Sequence, residues 1–92
     1  MQVRARIEKK LTEALAPIRL AVIDESHRHA GHGGTHPEGE THFQVEIVSA
    51  AFEGKSRVAR QRIVHELLAE ELHERVHALS LRTQTPAENA RE

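Results

Sequence analysis

Residues 18–48 read IRLAVIDESHRHAGHGGTHPEGETHFQVEIV and decide the fold. Two segments in which apolar residues alternate with other residues flank a loop. Apolar residues take every second position in both segments: Ile18, Leu20 and Val22, then Phe43, Val45 and Ile47. Successive side chains of a β-strand point to opposite faces, so each segment is predicted to be a strand with one apolar face. We expect the two strands to pair antiparallel.

The loop between these segments is rich in histidine. Residues 24–43 hold five of the eight histidines of the chain: His27, His29, His32, His36 and His42. Residues 30–37, AGHGGTHP, contain too much glycine and proline for a regular helix or ladder. Imidazole is the commonest metal ligand in proteins and changes its charge close to neutral pH, so the loop indicates metal binding or pH sensitivity. An ordinary solvated loop is the alternative.

One amphipathic helix is predicted before residues 18–48 and a second one after them. The first has its apolar positions on one face and is expected to end before Pro17. The second follows Ser56, a suitable N-cap, and carries a core-facing stripe. The apolar positions are Val3, Ile7, Leu11, Ala14 and Leu15 in the first helix, and Ile63, Val64, Leu67, Leu68 and Leu72 in the second.

Residues 76–83, VHALSLRT, alternate again and predict a third strand. In that strand His77 has the parity of Leu79 and Leu81, which places it towards the core. Residues 87–92 are polar and are expected to fray. The chain is therefore predicted to be one domain over residues 1–86, an α+β sandwich of order αββ-α-β with helices on one face of a three-stranded sheet.

Composition limits the classes of function. The chain has 92 residues, a net charge of −1, no cysteine, no tryptophan and no tyrosine. An overall basic excess is thus missing, and with two phenylalanines aromatic platforms for stacking bases are scarce. Without cysteine the chain can form no disulfide and supply no thiolate ligand, which fits a reducing compartment such as the cytoplasm. No apolar run reaches the roughly 18 residues of a membrane span, so we expect no membrane partner.

Residues 73–77, HERVH, match the zinc-protease pattern H-E-x-x-H. That chemistry needs both histidines one turn apart on a continuous helix, with a third ligand and a bound water. The strand-like alternation from Val76 onward breaks this requirement, so protease activity is not expected.

A basic segment opens the second helix. Positive charge is concentrated there by Lys55, Arg57, Arg60 and Arg62, directly after Gly54. Because helix N-termini favour anions, this segment could receive phosphate or an acidic partner. The alternative is a solvated helix face with ion pairs along the helix.

Six blocks occur in an order that resembles the BolA family: DES at 24–26, GETHF at 39–43, IVS at 47–49, FEGKS at 52–56, AEEL at 69–72 and VHAL at 76–79. The resemblance covers roughly residues 7–86. It implies a fold like a class II KH domain, with a helix, two strands, a helical segment and a final strand. One departure is Gln61, where many members have a histidine between two arginines.

The resemblance also implies a function. BolA-like proteins are partners of monothiol glutaredoxins, with which they hold a [2Fe–2S] cluster, and some are described as DNA-binding transcriptional regulators. The invariant histidine of the family falls on His77, and the variable loop ligand best matches His29, with His27 and His32 as neighbouring alternatives. We therefore expect a non-enzymatic adaptor that shares the cluster with a glutaredoxin and glutathione, and no cofactor in the isolated protein. The alternative is a DNA-binding regulator that uses the surface at 54–62.

Overall fold

The computed structural model describes residues 3–25 and 42–91 and confirms the predicted α+β class. The elements are α1 Val3–Leu15, β1 Arg19–Asp24, β2 His42–Val48, α2 Arg57–Leu67, α3 Ala69–Glu74, β3 Ala78–Gln84 and α4 Pro86–Ala90. A short 3₁₀ turn at Ala50–Phe52 joins β2 to α2. Within the described ranges, no helix has the length and apolarity needed to cross a membrane.

The three strands form one sheet in the order β1-β2-β3. As predicted, β1 and β2 pair antiparallel, with Val22 opposite Val45. The third strand pairs parallel to β2, with Val45 opposite Leu81. Parallel neighbours need a long crossover, and α2 and α3 supply it. The parallel pairing brings the starts of β2 and β3 to the same end of the sheet.

One face of the sheet packs against the helices. Every second strand residue, from Leu20 in β1 to Leu81 in β3, points to that face, as the alternating pattern predicts. Ile18, which the same pattern assigns to this face, precedes β1 and is 66% exposed. The buried core residues are Val3, Ile7, Leu11, Leu15, Val22, Phe43, Val45, Ile47, Phe52, Val64, Leu68 and Val76. Ala14, which the sequence assigns to the apolar face of α1, is exposed. The core is aliphatic apart from its two phenylalanines.

The predicted second helix is divided in two at Leu68. This residue has φ −103° and ψ 19°, outside the helical range, yet its side chain is only 1% exposed. Its N–H donates to Val64 and its carbonyl accepts from Leu72, so hydrogen bonding continues through the break. The chain thus changes direction while Leu68 stays in the core.

A buried carboxylate joins α3 to α1. The Glu71 side chain is fully buried, with Lys10 Nζ 3.0 Å from Oε1 and Arg6 Nη2 2.8 Å from Oε2. Burial opposes ionisation of Glu71, but hydrogen bonds from Lys10 and the backbone, with both cations, hold its pKa below the usual value. Because two cations share this carboxylate, the Glu71 charge keeps an opposite charge on each of its oxygens.

The prediction that the C-terminal tail frays is wrong over the residues of α4. Thr85 caps this helix, because its hydroxyl accepts from the Glu88 N–H at 3.1 Å while the Glu88 carboxylate accepts from the Thr85 N–H at 2.9 Å. Such a reciprocal capping box satisfies two otherwise unpaired backbone donors. Glu88 also pairs with Arg60 of α2, which fixes the helix to the domain.

Candidate functional site

His77 lies between α3 and β3 and is exposed, contrary to the sequence prediction that it faces the core. The strand begins one residue later, at Ala78, so strand parity does not apply to His77. Its neighbour Val76 is 4% exposed and anchors the segment in the core. The result is an imidazole held at the surface by a fixed backbone.

The backbone before His77 is fixed by the end of α3. The carbonyl of Glu71 accepts from the N–H groups of both Arg75 and Val76, each at 2.9 Å. Because the Glu71 side chain is bound by Arg6 and Lys10, α1 also contributes to the position of this segment.

Residues 73–77 do not lie on one continuous helix, which the zinc-protease pattern requires. The helix α3 ends at Glu74, so His73 lies on it and His77 does not. Among residues 3–25 and 42–91, no group of three or more His, Asp or Glu residues is arranged to hold a metal ion.

A second imidazole stands beside His77. His42 is the first residue of β2 and lies opposite Ala78 in the parallel register. The rings of His42 and His77 have their centres 6.2 Å apart and are tilted by 67°, edge to face. The sequence counts His42 among the histidines of the 24–43 stretch, but the parallel pairing that brings it to His77 leaves no local signal.

The loop ligands predicted from the sequence, His27, His29 and His32, lie outside the described residues. The ends of that segment are nevertheless placed. The Glu25 N–H donates to the His42 carbonyl at 2.7 Å, so the chain leaves β1 and enters β2 at the same end of the sheet. This end, which carries His42 and His77, we call the histidine edge.

The basic segment contributes to a separate groove between α2 and β3. The groove has a volume of about 840 Å³. Its lining residues are Lys55, Arg57, Arg60, Gln61, Leu81, Arg82, Thr83, Gln84 and Glu88. Gly54 and Arg62, also predicted for this surface, do not line it; Gly54 forms the preceding turn with φ 77°. We call it the basic groove.

Arg60 is not the exposed phosphate contact that the sequence suggests. It is 9% exposed, and its guanidinium lies 5.8 Å from the centre of the Phe52 ring. Its Nε donates to the Lys55 carbonyl, and its Nη1 donates to the Thr83 carbonyl. The fork of Nη1 and Nη2 meets both Glu88 carboxylate oxygens at 2.8 and 3.2 Å. Arg60 therefore connects α2, β3 and α4.

The exposed cations of the basic groove come from two elements. Lys55 and Arg57 lie at the start of α2, where Ser56 accepts from the Ala59 N–H as the predicted N-cap. Arg82 comes from β3 on the side away from the core. Sequence reasoning missed Arg82, because it is distant in sequence from the basic segment.

Comparison with known proteins shows which protein family and which curated proteins this chain is similar to. The profile of the BolA-like protein family matches residues 11–88. A curated relative, the DNA-binding transcriptional regulator BolA of Escherichia coli strain K12, is 46% identical over 85 residues, which is 92% of this chain and 77% of the relative. The chloroplastic/mitochondrial SufE-like protein 1 of Arabidopsis thaliana is 49% identical over 87 residues, 90% of this chain. The match spans only 24% of that plant protein.

Solved structures of BolA proteins have the same fold as this chain. BolA1 from Arabidopsis thaliana superposes with a TM-score of 0.83 at 42% identity, covering 96% of each chain. The three-stranded sheet and its helices are thus a fold shared over nearly the whole chain.

The Arg60–Glu88 pair generates a prediction about acid stability. Hydrogen bonds from Arg60 and the Thr85 backbone lower the pKa of Glu88 from 4.5 to about 2. A depressed pKa means that the carboxylate stabilises the fold above pH 4.5 and loses this effect as the pH falls towards about 2. The free energy of unfolding, measured in urea, should therefore be lower for Glu88→Gln than for wild type at neutral pH, and this gap should shrink across that window.

Glu66→Gln, at an exposed glutamate of α2, is the matched control for the loss of one surface charge. A gap between wild type and Glu88→Gln that stays constant down to the acid end of the window would contradict the assigned role of Glu88.

Proposed function

This chain belongs to the BolA family, and from that premise we propose that it is a non-enzymatic adaptor which coordinates or transfers a [2Fe–2S] cluster together with a monothiol glutaredoxin. The observation that supports this function best is the placement of His77. It is exposed on a backbone fixed by Val76 and Glu71, beside the two ends of the histidine-rich segment. A ligand so placed is accessible to a partner.

The side chains of this protein that can bind iron fit a cluster shared with a partner. The sequence has no cysteine, so this protein offers imidazole in place of thiolate. Two imidazoles on one iron are an established alternative to two thiolates and raise the reduction potential of the cluster. In the proposal, His77 and His29 bind one iron, with His27 or His32 as substitutes for His29, and the glutaredoxin with glutathione supplies the thiolates.

The residues around His77 serve this role by positioning it. A ligand bound to a rigid backbone loses less freedom when the cluster arrives than one on a free chain. Parallel pairing with β2 fixes the residues after His77, and the Glu71 carbonyl fixes those before it. The cytoplasmic location belongs to the same proposal and stays a prediction.

Cluster sharing predicts a spectral change that depends on His77. When a cluster-loaded monothiol glutaredoxin is titrated with this protein, the visible absorption and circular dichroism of the cluster should change and saturate at an equimolar ratio. The change should be lost with His77→Ala, because one iron ligand is removed. His73→Ala is the matched control, since His73 is also exposed but lies on α3, and it should behave like wild type.

An unaltered titration with His77→Ala would exclude His77 as a ligand. No change with the wild-type protein would exclude cluster sharing with that glutaredoxin altogether.

A second function is favoured by the basic groove. One curated relative is named as a DNA-binding transcriptional regulator, and Lys55, Arg57 and Arg82 bring three cations to one groove of this chain. The partner in this alternative is the phosphate backbone of DNA, because the chain has two phenylalanines, both buried, as its only aromatic rings besides histidine. Both functions can coexist, since the histidine edge and the basic groove use different residues.

DNA binding at the basic groove predicts a salt dependence that changes with the groove cations. Each lost phosphate contact should reduce the slope of log affinity against log salt concentration by about 1. Arg57→Ala and Lys55→Ala should both show this reduction in fluorescence anisotropy titrations of duplex DNA. Lys9→Ala, an exposed cation of α1, is the control and should leave the slope unchanged. Equal slopes in all variants would rule out this groove as the DNA contact.

A further inference from the structure

We propose that the imidazoles of His42 and His77 form a two-ligand site for one divalent transition ion, such as Zn²⁺, in the isolated protein. This goes beyond cluster sharing, because it requires no glutaredoxin and makes His42 a ligand. It also changes the sequence expectation that the isolated protein binds no cofactor. The remaining coordination positions of the ion would be filled by water.

The separation of the two rings suits a shared ion. Zn²⁺ lies about 2.0–2.1 Å from an imidazole nitrogen, so two rings on a tetrahedral ion have centres roughly 5 Å apart. The observed separation of 6.2 Å exceeds this by only about 1 Å, which rotation of the two side chains can close. The tilt of 67° also keeps the rings from stacking face to face, an arrangement that would block a common ion between them.

The backbone holds both residues in this arrangement. His42 is tied to β1 through its carbonyl, which accepts from the Glu25 N–H, and to β3 through its place opposite Ala78. His77 lies between the buried Val76 and the first residue of β3. The two histidines belong to different parts of the chain, His42 to β2 and His77 to the segment before β3. They therefore come together only when the sheet is formed.

The chemistry of the edge selects the class of ion. Imidazole nitrogen suits Zn²⁺, Cu²⁺ and Ni²⁺, whereas Mg²⁺ and Ca²⁺ prefer oxygen ligands. Asp24 and Glu25 at the end of β1 add negative charge to the same end of the sheet, which favours a cation there. Their carboxylates are not needed as ligands in the proposal.

Titration of the isolated full-length protein with Zn²⁺ tests the site. Calorimetry should show one ion per chain, and NMR signals of the His42 and His77 rings should shift together. Loss of a group that merely orients a ligand already weakens metal binding about ten- to a hundredfold, so His42→Ala and His77→Ala should each weaken it at least tenfold. His65→Ala and His73→Ala, at exposed histidines of the helices, should bind like wild type, and Mg²⁺ should not bind.

The loop histidines need their own control. A variant with His27, His29, His32 and His36 all replaced by Ala should keep most of the Zn²⁺ affinity. Loss of binding in that variant, or unchanged binding in His42→Ala, would overturn the proposal and leave the contact of the two rings as a packing contact. Should His42→Ala fail to fold by circular dichroism, His42→Gln preserves a polar side chain and answers the same question. Because no glutaredoxin is present, these outcomes are separate from those of the cluster titration.

Discussion

The parallel pairing of β2 with β3 is the constraint on which the candidate site depends. It sets His42 opposite Ala78 and thereby brings His77, which is 35 positions later in the sequence, to the same end of the sheet. A slip of one residue would turn every side chain of β3 to the other face and expose Leu79 and Leu81. The hydrophobic core therefore fixes the register, and the register fixes the position of the imidazole.

Charged groups inside the domain reinforce this arrangement. Glu71 joins α3 to α1 through Arg6 and Lys10, and its carbonyl fixes the residues before His77. Arg60 plays a similar part at the other end of the crossover, where it connects α2 to α4 through Glu88. In both cases a buried charge meets an opposite charge and additional hydrogen bonds, which is the condition for tolerating it. The histidine edge and the basic groove thus each lie close to a buried charge that is itself paired.

Local sequence patterns predict the elements of this fold well. Alternation identifies β1 and β2, and helical spacing identifies α1, because each pattern reflects which side of one element is buried. The same patterns fail where the decisive contact is distant in sequence. From the sequence, Arg60 is interpreted as an exposed cation, because Glu88 is not yet placed against it. Residues 87–92 are interpreted as a fraying tail, because the contacts of Thr85 and Arg60 with Glu88 are not visible in the sequence. The proximity of His42 to His77 is missed for the same reason, because only the sheet brings the two residues together. The family resemblance found in the sequence places His77 in a functional role, but the position of its imidazole comes from the structure alone.

The most direct test of the central claim, that this protein supplies imidazole to an iron of the shared cluster, is pulsed electron paramagnetic resonance of the reduced cluster. The complex is prepared with ¹⁵N-histidine in this protein only and with an unlabelled monothiol glutaredoxin. Our account predicts ¹⁵N hyperfine couplings of the strength expected for two iron-bound imidazoles, one of which is lost with His77→Ala. A cluster that forms in the complex without any coupling to ¹⁵N would contradict it.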